Sequence, residues 1–151
     1  MFTVWRIVNK AYQSKAFDGE GAYRFGGRWN RKGIRMVYTS ATLSLAALEL
    51  LVHINPAIKF ELVRFKLEFD ENLIEKTSLQ TLPKNWRAHP PSTATQDFGS
   101  RWVKENRSPV LAVPSAIIPE ELNYLLNPLH PDFMKIRIGK SVDFTFDSRM
   151  I

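Results

Sequence analysis

The stretch GEGAYRFGGRWNRKG, Gly19 to Gly33, holds five of the chain's seven glycines together with Arg24, Arg28, Arg31, Lys32, Tyr23 and Trp29. A backbone this permissive can bring N–H groups close to phosphate oxygens, with Arg24 or Arg28 adding a planar cationic fork. The same glycines can equally serve turns with positive φ. The stretch has no Gly-Lys-Ser/Thr ending, so it is not a Walker loop. Its glycine spacing, with no helix pattern directly after it, also excludes a Rossmann fingerprint. A second candidate is Glu49, in SATLSLAALELLVHI (Ser40 to Ile54). On a helical projection of residues 41–54, Thr42, Glu49 and His53 share one narrow polar stripe on an otherwise apolar helix. That stripe faces either solvent or a cleft. A carboxylate on a mostly buried helix costs several kcal/mol, roughly, unless it is paired or hydrated. Ser115, in VPSAI, is not in a Gly-x-Ser-x-Gly elbow. The spacing of His53, His89 and His130 suggests no metal, and with no cysteine in the chain there is neither a thiolate nucleophile nor a cysteine metal site.

The elements that must position these groups read as follows. TVWRIV (Thr3 to Val8) is a strand with Trp5 and Ile7 on one face, followed by the glycine-rich loop and a short strand, MVYT (Met36 to Thr39). The helix of residues 41–54 has Ser40 as its expected N-cap and Pro56 as its terminator. VRFKLEF (Val63 to Phe69) alternates as a half-buried strand with Arg64, Lys66 and Glu68 outward. LPKNWRAHPPSTATQDFGS (Leu82 to Ser100) is a long surface loop or a flap. Asp97 to Asn106 is a short helix, VLAVPSAI (Val110 to Ile117) a buried strand, and MKIRI and VDFTF two late strands. NYLLNPLHP (Asn123 to Pro131) reads as a loop whose asparagines satisfy backbone groups. Strands outnumber helices without alternating regularly with them, which favours a mixed α+β domain.

At 151 residues, with 44% hydrophobic and 24% charged content, the chain has the size and composition of one globular domain, 1–151. It shows neither an apolar run of membrane-spanning length nor a signal-peptide pattern, so no membrane partner and a cytoplasmic location are expected. The net charge of +6 points to an anionic partner: a phosphate-bearing small molecule, nucleic acid or an acidic protein. The basic residues are scattered along the chain rather than massed on one element, which weakens direct nucleic-acid binding.

In order along the chain, GGRWNRKG, MVYTSATLSLAALELLVHI and VPSAIIPEELNYLLNPLHPDF resemble the RES-domain family, named for an arginine, a glutamate and a serine. The resemblance runs from about Trp5 to Phe133. It implies a toxin of a toxin–antitoxin pair, partnered by an Xre-type helix-turn-helix antitoxin, with a fold similar to ADP-ribosyltransferase toxins. It further implies cleavage of the nicotinamide–ribose bond of NAD, with NAD as substrate rather than cofactor, inorganic phosphate or water as acceptor, and no metal. Carried over by position, the three name-giving residues fall on Arg28, Glu49 and Ser115, an early arginine on Arg6, a strand tyrosine on Tyr38 and a late asparagine on Asn127. These types suit the chemistry. Glu49 would stabilise oxocarbenium-like charge on the ribose, and Arg6, Arg28 and the loop with Gly27 would hold the pyrophosphate. Tyr38 would meet the nicotinamide, and Ser115 and Asn127 would bond the ribose or the leaving amide. A homodimer is expected, and protein mono-ADP-ribosylation is the main alternative activity.

Overall fold

The computed structural model describes residues 1–55 and 59–151. The expected terminator Pro56 lies outside the described residues. Along the chain run β1 (Phe2–Asn9), α1 (Glu20–Phe25), β2 (Val37–Ser40), α2 (Leu43–Leu51), β3 (Leu62–Phe69) and β4 (Ile74–Lys76). They are followed by α3 (Thr93–Lys104), β5 (Val110–Pro114), β6 (Leu122–Leu126), β7 (Arg137–Ile138) and β8 (Val142–Phe144). Short 3-10 turns occupy Lys10–Lys15, Glu71–Leu73 and Phe133–Lys135. The strands form one sheet in the order β4-β5-β6-β2-β1-β3-β7, with β8 also on β3. Only β4 and β5 pair in parallel among the described residues; the other pairs are antiparallel. The fold is α+β with a mixed sheet.

Strand alternation divides the core between two faces. Val4 of β1, Val37 of β2, Val63, Phe65, Leu67 and Phe69 of β3, Val110 and Ala112 of β5, and Tyr124 and Leu126 of β6 gather on one face. Ala16, Phe17, Phe133 and Ile136, from the irregular segments, cover it. The opposite face carries two separate clusters. On the β1–β3 half, Trp5, Ile7 and Leu62 pack against Leu43, Ala46, Ala47 and Leu50 of α2. On the β5–β6 half, Leu111, Val113 and Leu125 pack beneath Trp102 of α3, Trp29 and Trp86. The seam between these halves is the β2–β6 pair, where Tyr38 lies opposite Leu125 and Ser40 opposite Asn123.

Several expectations needed correction. The segment NYLL is not loop but part of β6, a central strand; the turn-forming asparagine and prolines begin only at Asn127, directly after it. Residues 20–25 form α1 inside the glycine-rich stretch, with Gly19 at its N-cap in the left-handed conformation (φ 72). The N-cap of α2 is Thr42, whose side chain accepts from the Leu45 amide, because Ser40 is still in β2. Helix α3 starts four residues earlier than expected, at a Ser92 cap that accepts from Thr95, so only the first half of Leu82–Ser100 is irregular. The segment MKIRI enters a 3-10 turn and yields only the two residues of β7. Strand β3 follows its alternation, and its Arg64 lies over the Trp5 ring at 5.4 Å.

Helix α3 reaches the glycine-rich loop through Gly99. A Cβ built there would lie 1.9 Å from the Trp29 carbonyl oxygen. Helix propensity alone favours Gly99→Ala by about 1 kcal/mol, but pushing a methyl into a backbone oxygen costs about 3 kcal/mol or more, so the clash wins. We expect Gly99→Ala to lower the urea midpoint markedly. Gly21→Ala in α1, where nothing lies within 4 Å of the added Cβ, should raise stability by about 0.5–1 kcal/mol. Equal effects at the two positions would refute this account of the helix–loop joint.

Candidate active site at the seam of the sheet

Glu49 projects from α2 toward the β2–β6 seam. Its Oε2 accepts from the Ser115 hydroxyl at 3.3 Å and also from Nδ2 of Asn123. Among the described residues no hydrogen bond reaches Oε1. The polar stripe seen in the sequence therefore has three different fates. Thr42 caps its own helix, His53 is exposed beyond the helix end, and Glu49 enters the site.

Ser115 is fully buried at the end of β5. Its Oγ accepts from the amides of Ile117 and Ile118, both at 3.1 Å, which closes the turn after the strand and leaves the hydroxyl proton for Glu49. Asn123 was missed as a site residue. Its Oδ1 accepts from the Ser40 hydroxyl at 2.7 Å, so Ser40 too belongs to the network. The available signal was the alternation of LNYLL, with one polar residue on an apolar strand face.

The glycine–arginine loop approaches from the α3 side. Tyr38 donates its hydroxyl proton to Asn30 Oδ1 at 2.6 Å and accepts from the Trp29 amide at 3.1 Å. Burial pushes this phenol well above its ordinary range, with Arg28 and the Trp29 amide opposing. Gly27 is the contact that permits this arrangement, since a Cβ there would lie 2.5 Å from the Tyr38 hydroxyl oxygen. The loop is braced from behind by α3. Gln96 Nε2 donates to the Gly27 carbonyl, Ser100 Oγ accepts from the Arg31 amide, and Asp97 takes a two-pronged ion pair from Arg31. The amides of Gly26, Gly27 and Gly33 are bonded to Ala22, Asn30 and Tyr23 carbonyls. The expectation that this backbone forms an open anion cradle is thus corrected at those three amides, which close the loop on itself.

Arg28 is the cation that the loop delivers. Its Nη1 donates to the carbonyls of Trp86 (3.0 Å) and Ala88 (2.6 Å), while among the described residues no hydrogen bond uses Nε or Nη2. Partial burial lowers its pKa, and the charge of Glu49 opposes that shift. The segment it holds is pinned a second time where Arg87 Nε donates to the Ala116 carbonyl at 2.7 Å, beside Ser115. Trp86 also stacks on Trp29 with centroids 6.3 Å apart. Residues 86–88 therefore form a strap whose two end carbonyls are held by Arg28 and whose middle residue, Arg87, is tied to the serine turn.

Two sequence candidates stand apart from this cluster. Arg6 donates from Nε to the Ala16 carbonyl and from Nη1 to the Tyr38 carbonyl. Burial lowers its guanidinium to about 10, and Asp18, not Glu49, is the carboxylate that opposes the shift. It is a strut between β1, β2 and the segment after the first 3-10 turn, and among the described residues no hydrogen bond uses its Nη2. Asn127 sits just beyond β6 at the end remote from Asn123. There its Oδ1 accepts from the Leu129 amide and its Nδ2 donates to Asn106. It fastens a turn and does not reach the Glu49 cluster. Among the described residues, no three histidine, aspartate or glutamate side chains gather where they could hold a metal ion. No helix there is long and apolar enough to cross a membrane.

A family model for the RES domain matches residues 3–147. The chain is 39% identical over 150 residues to a protein of Photorhabdus laumondii named Toxin Res, covering 98% of this chain and 96% of that one. It is 38% identical to a Toxin Res of Yersinia enterocolitica, covering 97% of this chain and 98% of its relative. It is 37% identical to the Prs ADP-ribosylating toxin of a Sphingobium strain, covering 97% and 95%. In fold it is similar to a chain of the M. tuberculosis MbcT-MbcA toxin-antitoxin complex, with a TM-score of 0.77 at 18% identity, over 95% of this chain and 84% of that one.

If Arg28 holds the strap, Arg28→Gln should free it. Two charge-assisted bonds to carbonyls are lost, so trypsin should cut after Arg87 roughly tenfold faster in the variant, as followed by mass spectrometry. Unchanged cleavage in a folded variant would mean that the strap is held without Arg28.

Proposed function

The chain belongs to the RES-domain family, and we propose that it is the toxin of a toxin–antitoxin pair that destroys NAD by breaking its nicotinamide–ribose bond. The observation that carries this reading is the state of Glu49, a carboxylate held by Ser115 and Asn123 at one oxygen and open at the other, within the field of Arg28.

When the bond between ribose C1′ and the pyridinium nitrogen breaks, its electron pair leaves with nicotinamide, which departs neutral. Positive charge develops on the ribose. A fixed carboxylate stabilises that charge more than it stabilises the ground state, which is the condition for catalysis. Oε1 of Glu49 is the oxygen available for this, and for a ribose hydroxyl. The Nε–Nη2 edge of Arg28 is a two-pronged donor suited to a phosphate of the pyrophosphate. Arg6, bonded to the Ala16 and Tyr38 carbonyls, serves as a strut rather than a phosphate ligand. Tyr38, whose phenol stays neutral, has its hydroxyl committed to the loop, so its ring is the part that orients the nicotinamide. The electrophilic carbon is then taken by an oxygen of inorganic phosphate or of water. Transfer to a protein acceptor is the second reading, favoured by the name of the Sphingobium relative. Labelled NAD separates the two, since the label ends either in a small molecule or on a protein band.

The positive net charge suits an antitoxin with an acidic segment that competes for the arginines. The proposed partner is an Xre-type helix-turn-helix protein, and the toxin–antitoxin complex of similar fold supports a partner of the antitoxin class.

Glu49→Gln keeps the shape of the side chain and removes its charge. We expect NAD turnover to fall by about two orders of magnitude while NAD binding and the unfolding midpoint stay close to wild type, as measured by nicotinamide release, calorimetry and urea titration. Near-normal turnover in the folded variant would defeat the role given to Glu49.

A further inference from the structure

We infer that Ser40 and Asn123 are positioning residues that hold Glu49 by Oε2 and so determine that Oε1 is the oxygen offered to the ribose. The inference rests on the NAD-cleaving reading above and assigns site roles to two residues for which the sequence suggested only a helix cap and a turn.

The direction of each bond follows from the chemistry of the groups. An ionised carboxylate only accepts, so Asn123 must turn its amide nitrogen toward Glu49. Its carbonyl oxygen then faces Ser40, whose hydroxyl must donate. Ser40 and Asn123 are direct cross-strand partners on β2 and β6, so the backbone ladder sets their separation. Both are buried, at 4% and 9% exposure, and neither bond is exchanged cheaply for water. Ser115 supplies the second donor to the same oxygen from a turn locked by two amides. The carboxylate is thus oriented by two side chains from separate strands. Without the Ser40 hydroxyl the Asn123 amide loses the contact that orients it. A flipped amide would set its carbonyl oxygen against the carboxylate.

Ser40 acts on the chemistry only through Asn123, and this distinguishes the inference from a general packing role. We expect Ser40→Ala to lower kcat for nicotinamide release about tenfold and Asn123→Ala by more, with KM for NAD within about twofold of wild type in both. Ser40→Thr, which keeps the hydroxyl, should restore most of the rate. Asn123→Asp, which places a second carboxylate against the first, should be the most damaging. A readout independent of NAD comes from urea midpoints. Ser40→Ala and Glu49→Gln should be non-additive in the wild-type background and additive once Asn123 is alanine.

Wild-type kcat in folded Asn123→Ala, with Glu49→Gln inactive, overturns the inference and leaves the activity reading standing. So does failure of Ser40→Thr to recover what Ser40→Ala lost. Absence of nicotinamide release from the wild-type protein overturns the activity reading instead, and release undiminished in Glu49→Gln overturns the role given to Glu49. In that case the urea cycle still decides whether Ser40 is coupled to Glu49, and additivity in the wild-type background overturns the coupling.

Discussion

The hydrogen bonds to Oε2 of Glu49 join α2, the end of β5 and the first half of β6, three segments with nothing in common along the chain. Each surrounding feature is arranged so that these bonds can form. Helix α2 must lie on the β1–β3 half through Ala46 and Ala47, small residues that let it sit close to the sheet. Ser115 must end β5 in a turn whose amides occupy its lone pairs. Strand β6 must pair with β2 in the register that sets Asn123 against Ser40. A slip of one residue in that pairing would turn Asn123 to the apolar face now filled by Tyr124 and Leu126. The apolar clusters and the polar site are thus set by the same register.

A common pattern runs through the charged groups. Glu49 is anchored by one oxygen and open at the other. Arg28 is anchored by Nη1 and open along Nε and Nη2, and Arg6 is anchored by Nε and Nη1. Fixing half of a group reduces the rotamer freedom it must give up on binding, and the free half keeps its capacity to interact. The loop that carries Arg28 is stiffened in the same sense. Gly27 lies against the Tyr38 hydroxyl, Gly99 against the Trp29 carbonyl, and α3 contributes Gln96, Asp97 and Ser100 to its support.

Much of this fold is legible in the sequence where a period is long enough to register. Strands β1, β3 and β5 and the body of α2 follow from alternation and helical spacing. Strand β6 was concealed because NPLHP, a strong turn signal, abuts five residues that must themselves be read as a strand. Helix α1 was hidden by glycine, and the start of α3 by Thr93 and Thr95, which are weak helix formers. The site divides along the same line. Glu49, Arg28, Tyr38 and Ser115 sit in recognisable motifs. Ser40 and Asn123 lie in the same motifs, but their site role is not legible there, because their meeting spans 83 residues and is decided by sheet register. Asn127 shows the converse: it stands in a motif, yet four positions beyond Asn123 the strand has carried it to the other end of the sheet. The glycines of residues 19–33 suit either phosphate-binding backbone or turns, whereas Gly27 is needed for close packing against Tyr38, as Gly99 is against Trp29. A sequence shows where the backbone must be permissive, but not which neighbour requires it.

The chain order of the seam also sets a timetable. Glu49 leaves the ribosome 74 residues before Asn123, its partner on β6. At about 5–20 residues per second that gap lasts about 4–15 s. Through that interval a nascent chain carries the carboxylate without the strand and serine turn that orient it. Strand β2 waits slightly longer for its β6 neighbour, with an unpaired edge open to other chains. The cleft cannot be assembled gradually from its amino-terminal half. It forms late, when the last central strand slots between β5 and β2, and translation that stalls before β6 leaves a chain with every charge of the arginine loop and no working geometry.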